Sequence, residues 1–219
     1  MSFRDWCWQR FVRVGVITRQ ITAANVDEKI KQLYETAFPE GEQIPWEDLM
    51  RLVGEMPLDF TAYYDGKEFI GFTIVYPRKS FNWYWYFAVR EELRGKGYGQ
   101  QILTQLIEHY KGQTCVLDME SPTQVCDNIG QRRKRHAFYL RNGFRDTNVY
   151  RTYNGITMTI MMMGEGTLAS PPSDATQPSS SELGRPSLLP RFTMHDWNDI
   201  TNELKRFWWS DNIKEEIRE

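Results

Sequence analysis

The stretch VREELRGKGYGQQIL, residues 89–103, alternates Gly95, Gly97 and Gly99 with Lys96 and Tyr98, directly after Arg94. Glycines let successive backbone N–H groups turn toward one anion. A helix N-terminus adds partial positive charge, and Arg94 and Lys96 add charge-assisted contacts. The chemistry is that of a phosphate site. A triphosphate loop needs GxxxxGK followed by Ser or Thr, but residue 90 is arginine and Gly97 follows Lys96. A dinucleotide fingerprint needs GxGxxG, and counted from Gly95 the sixth position is Gln100. The remaining pattern, R-x-x-G-x-G, is matched by Arg94, Gly97 and Gly99. It suits a pyrophosphate, or it is only a flexible turn.

Other residues with chemistry in reach are carboxylates. Asp118 and Glu120 share one face at the C-terminal end of CVLDME by strand alternation, and ligands favour that end of strands in open sheets. Glu120 is the candidate general base; the competing reading is a carboxylate paired with a nearby Arg or Lys. Glu40 and Glu42, in an acidic loop, are weaker candidates for attracting a cationic substrate. Three cysteines (Cys7, Cys115, Cys126) without a CxxC, and three scattered histidines, give no support to a metal site.

The elements that must position these residues follow from periodicity. Residues 12–22 read as a strand. Val26, Ile30, Leu33, Tyr34, Ala37 and Phe38 make a helical stripe with Asn25 as N-cap and Pro39 as stop, and a second short helix starts at Pro45. LDFTAYYDGKEFIGFTIVYP reads as a hairpin about Asp65-Gly66, and NWYWYFAV as a strand leading into the glycine turn. A helix to Gly112, the strand CVLDME, a helix closed by Asn142-Gly143 and a hairpin about Asn154-Gly155 complete the body. The fold class is α/β in the α+β sense: a mixed, mostly antiparallel central sheet flanked by helices. One domain covers 1–165, a Ser/Pro-rich linker 166–190, and a terminal segment 191–219. The terminal stripe of Trp197, Ile200, Leu204, Phe207 and Trp208 predicts an amphipathic helix docked on the body or on a partner, as in a homodimer.

With 41% hydrophobic and 26% charged residues the composition is globular, and a net charge of −2 argues against a dedicated nucleic-acid binder. No apolar run approaches the roughly 20 residues of a membrane span, and the N-terminal stretch lacks a signal-like apolar core. A cytoplasmic location is the expectation.

The segments YFAVREELRGKGYGQQILTQLI and FYLRNGF, in this order of elements, resemble the GNAT superfamily of acyl-CoA N-acyltransferases over residues 12–163. The resemblance implies that the glycine turn (Arg94, Gly95, Lys96, Gly97, Tyr98, Gly99) holds the pyrophosphate of acetyl-CoA. It implies that the backbone of Phe87, Ala88 and Val89 runs beside the pantetheine arm, with a Phe87 or Val89 N–H as oxyanion donor. It also implies that Tyr139 faces the sulfur as proton donor. Where the family commonly has Asn and Ala before that tyrosine, this sequence has Arg132 and Arg135, so Asn128 is the candidate for the pantetheine contact. The basic run 132–136 either meets the CoA 3′-phosphate or an acidic partner, or is a solvated helix face. The implied function is N-acetyl transfer from acetyl-CoA to a primary amine, with no metal. A non-catalytic CoA-binding regulatory module is the alternative.

Overall fold

The computed structural model describes residues 15–79, 81–153 and 155–164, and the backbone of 215–218. Strand β1 (Ile17–Gln20) is followed by helices α1 (Glu28–Ala37) and α2 (Trp46–Glu55), then by strands β2 (Asp59–Asp65), β3 (Glu68–Pro77) and β4 (Asn82–Val89). Helix α3 (Tyr98–His109), strand β5 (Cys115–Glu120), helix α4 (Ile129–Arg141) and strands β6 (Arg145–Tyr153) and β7 (Ile156–Met163) follow, and β8 is Glu215–Arg218. The body has the expected order of elements.

The sheet runs β1-β2-β3-β4-β5-β7-β6-β8. Among the described strands only β4 and β5 pair in parallel. Ile30, Leu49, Phe72 and Trp83 belong to the core under α1 and α2; Leu103, Leu106, Leu117, Tyr139 and Met161 form the core on the other side, with α3 and α4. The hairpin turn holds Gly66 at φ 59, as the Asp-Gly pair predicts. Gly71 has a different reason: a Cβ there would stand 2.2 Å from the Ala88 carbonyl oxygen, so glycine lets β3 and β4 pair closely.

One cap differs from the sequence reading. Asp27, rather than Asn25, caps α1, accepting from the N–H groups of Lys29 (2.9 Å) and Ile30 (3.2 Å). Asn25 instead closes the preceding turn, accepting from Thr22 N–H and donating to the Gln20 carbonyl. Either residue type can cap, and the tertiary path of the chain decides which one does.

Two irregularities position the site. The β4–β5 ladder covers only Asn82↔Cys115, Trp83↔Val116 and Tyr84↔Leu117, and then the strands part. Just there β4 holds an extra residue, because Ile74 pairs with Tyr86 while Val75 pairs with Tyr84. A bulge bends its strand and ends local pairing. The C-terminal ends of β4 and β5 therefore splay, leaving backbone groups of 85–89 facing a gap in the sheet.

The linker over 166–190 and the stripe from Trp197 to Trp208 lie outside the described residues. The described part of the terminal segment, Glu215–Arg218, is a strand on the edge of β6, not a continuation of a helix.

Candidate active site

The gap between β4 and β5 opens a cleft of about 870 Å³. One wall is the β4 run Trp83–Val89, another comes from Leu117, Asp118 and Met119 of β5, and α4 contributes Gln131, Lys134, Arg135 and Tyr139. Arg94 and Gly95 stand at one end, and the turn between α1 and α2 supplies Phe38, Glu42 and Ile44 at another.

The glycine turn is built for an anion. Gly95 (φ 76) and Gly97 (φ 87) are in the left-handed region that side chains disfavour. Gly97 is the N-cap of α3, no side chain caps it, and the first turn has no acidic residue. The leading N–H groups of α3 are thus available to a ligand. Arg94 Nε donates to the Val89 carbonyl at 3.1 Å, tying the turn to the end of β4. Gly99 carries no positive φ, and a Cβ there would meet only a Val89 methyl at 3.9 Å. Tyr98 points elsewhere: its hydroxyl donates to Asp65 Oδ2 at 2.7 Å, so its side chain braces the β2–β3 hairpin and only its backbone is offered to a cofactor. Of the expected cofactor contacts, Phe87, Ala88, Val89, Arg94 and Gly95 line the cleft. Lys96 and Gly97 lie in the exposed turn at its end.

Tyr139 lines the cleft from α4 and is 8% exposed. Burial raises its phenol to about 12; Arg135 pulls the other way and Asp118 raises it slightly further. The hydroxyl therefore stays protonated, and among the described residues it has no hydrogen-bond partner.

Glu120 is not placed as a base. It is 2% exposed, absent from the cleft lining, and clamped between α4 arginines: Arg132 Nη2 is 2.6 Å from Oε1 and Arg135 Nη1 is 3.4 Å from Oε2. Arg132 is itself 6% exposed. Asn128, the residue the resemblance offers for the pantetheine contact, bonds within this same cluster. Its Oδ1 accepts from Arg132 Nε at 2.8 Å and its Nδ2 donates to Glu120 at 3.4 Å. The two arginines that replace the expected Asn and Ala both meet the buried Glu120, and Arg132 also meets the half-buried Asn128. Asp118, on the same face of β5, accepts from Trp83 Nε1 at 2.9 Å and pairs with Arg151 Nε at 3.2 Å.

From sequence alone, the acidic loop that holds Glu42 reads as solvated. Glu42 lines the cleft, and its Oε1 is buried with no hydrogen-bond partner among the described residues. Burial first, then repulsion by Glu120, raises it from 4.5 to about 7.

The fold agrees with known proteins. Residues 58–146 match the family model of the acetyltransferase (GNAT) domain. That match takes in the elements from β2 to α4, with the glycine turn among them. No curated protein sequence matches the chain. Among solved structures, a GNAT-family protein of Bacteroides thetaiotaomicron is 21% identical at TM-score 0.59, covering 86% of this chain and 96% of that one. Ard1 from Thermoplasma volcanium is 19% identical at TM-score 0.55, covering 68% and 97%. A GNAT family acetyltransferase from Elizabethkingia anophelis, with acetyl-CoA bound, is 18% identical at TM-score 0.52, covering 68% and 98%. These likenesses define the fold. Among the described residues no helix is long and apolar enough to cross a membrane.

Proposed function

We propose that this protein transfers an acetyl group from acetyl-CoA to a primary amine by direct attack, with donor and acceptor bound together. The observation that carries the reading is the splayed β4–β5 pair ending at an uncapped helix N-terminus behind Gly95 and Gly97. The donor supplies an activated thioester carbonyl. The leading N–H groups of α3 hold its pyrophosphate, with charge from Arg94 and Lys96. The unpaired backbone of Phe87–Val89 takes the pantetheine arm as a partial added strand and offers an N–H to the developing oxyanion. This places the thioester near the point where β4 and β5 part, beside Tyr139.

Tyr139 serves the leaving group. As the C–S bond breaks, its hydroxyl donates to the sulfur. A phenol raised by burial still suits this task, because the same dry cleft raises the proton affinity of the thiolate. Lys134 and Arg135, on the cleft side of α4, add positive charge along the donor's path.

The test is thiol release from acetyl-CoA across a panel of alkyl, aryl and polyamine acceptors and peptides with a free amine. At least one amine should release thiol at a rate above hydrolysis. Tyr139→Phe should slow that release while leaving acetyl-CoA affinity nearly unchanged. Binding of acetyl-CoA without transfer to any amine would instead support a CoA-binding regulatory module.

A further inference from the structure

A primary alkyl amine has a pKa near 10, so at pH 7 only about one molecule in a thousand carries the free lone pair that attack requires. The site must either wait for that fraction or take the ammonium and remove its proton. The second course needs a carboxylate that faces the cleft, is not already neutralised, and holds a proton neither too tightly nor too weakly.

Three acidic residues line the cleft: Glu42, Glu91 and Asp118. Asp118 is occupied by Trp83 and Arg151. Glu91 is exposed and belongs to the donor end, three residues before Arg94. Glu42 alone of the three combines a place in the cleft with a buried carboxylate oxygen that has no hydrogen-bond partner among the described residues.

Its turn is also held in place. The Glu42 carbonyl accepts from the Tyr86 hydroxyl at 2.9 Å, so the turn is anchored to β4 next to the bulge. Tyr34 accepts from Ile44 N–H at 2.7 Å and stands 3.3 Å from the Tyr86 hydroxyl. The Glu42 and Gln43 N–H groups bond back to Pro39 and Glu40. A buried oxygen without a partner costs free energy, and here the cost is borne at a rigid point of the cleft wall.

We propose that Glu42 receives the ammonium of the acceptor and takes its proton, so that the acceptor enters as a cation from the side of the α1–α2 turn. This rests on the acetyl-transfer reading above. An ammonium seated at Glu42 gives one proton to the carboxylate, which passes it to solvent. The freed lone pair forms the C–N bond to the thioester carbonyl, and the C–S bond breaks. The second amine proton goes to the regenerated Glu42 carboxylate and on to solvent, while Tyr139, having given its proton to the sulfur, takes one back from solvent. One proton is released overall, and the thiol keeps the other. The charges facing Glu42 are Glu120 and Asp118 from β5, which raise it, and Arg135 and Arg132 from α4, which lower it. Arg151 of β6 is paired with Asp118. With burial these charges set the carboxyl near 7, close to the pH at which a base is most useful.

The test compares wild type, Glu42→Gln and Glu42→Asp on butylamine and on trifluoroethylamine, whose nitrogen is already neutral at pH 7. Melting temperature and acetyl-CoA affinity are measured for each variant as a check on folding. Wild-type kcat/KM for butylamine should fall as pH drops through about 7. Glu42→Gln should lose roughly 10²–10⁴-fold on butylamine, move that limb from about 7 up toward the amine's own pKa near 10, and lose far less on trifluoroethylamine. Glu42→Asp should retain the limb at reduced rate. Wild type that acetylates neither these two nor any amine of the panel above would overturn the transferase reading and this inference with it. Wild type that acetylates butylamine, with Glu42→Gln within about twofold and the limb intact, would overturn this inference alone.

Discussion

Glu120 and Glu42 are both partly or wholly hidden carboxylates near one cleft, yet their surroundings give them opposite uses. Glu120 sits at the end of β5 with Arg132 and Arg135 against its two oxygens and Asn128 beside it. Glu42 sits on a turn pinned by tyrosine hydroxyls, and its Oε1 has no partner among the described residues. The first joins α4 to the sheet; the second is left with unused hydrogen-bonding capacity inside a cleft. The lesson is that partners, more than residue type or position on a strand end, separate a structural acid from a reactive one.

The comparison is broken most readily by removing Glu120. Glu120→Ala leaves Arg132 buried without its counter-charge, and denaturant unfolding should show a loss of about 3–5 kcal/mol. Turnover per folded molecule should survive better than in Glu42→Gln. A stable Glu120→Ala protein without turnover would reverse the two roles. Tyr139→Phe removes a hydrogen bond to a developing charge, so kcat should fall by the equivalent of about 1.5–3 kcal/mol, with melting temperature little changed.

Glu42 also carries a stability signature of the opposite sign from a paired acid. Its folded value, about 7, lies above its ordinary 4.5. Between those values the folded chain holds the extra proton, so the contribution of Glu42 to stability declines as pH rises through that range and stays low above it. Glu42→Gln should therefore melt higher than wild type at pH 8 and show little gain at pH 4. Calorimetry at the two pH values checks this, and no such difference would mean that Glu42 is solvated.

The smallest contrast concerns the glycine turn. Gly97→Ala forces a side chain into the left-handed region, at a cost of about 1–2 kcal/mol. Gly99→Ala meets only a methyl at 3.9 Å and should leave stability nearly unaltered. Equal losses would mean that the turn is not held as described.

The donor half of the site was legible because its signals are local. Asp65-Gly66, the Gly95–Gly99 turn and Asn142-Gly143 each state a backbone conformation within a few residues, and Gly66, Gly95, Gly97 and Gly143 all have positive φ. The body of the sheet was legible for the same reason. The acceptor half depends on contacts that no window of sequence contains. Tyr86 reaches back across 44 residues to fix Glu42, and Arg132 and Arg135 reach Glu120 from the next helix. The bulge at Trp85, which opens the cleft, is invisible in an aromatic run that reads as one uninterrupted strand. Glu120 reads as a base from its place at a strand end, and Asn128 as a pantetheine contact from the family resemblance. Which partner each side chain meets could be read only once α4 was packed on β5.

The central claim, direct transfer to an amine with both substrates bound, is tested most directly by mass spectrometry of the intact protein and of the amine. The enzyme is incubated with acetyl-CoA alone and then with an amine accepted in the thiol-release panel. Direct transfer leaves the chain unmodified in the first step. In the second it yields an amine heavier by one acetyl group, with one thiol released for each amine modified. An acetyl group carried on the chain before the amine is added, or thiol release that leaves the amine unmodified, would contradict it.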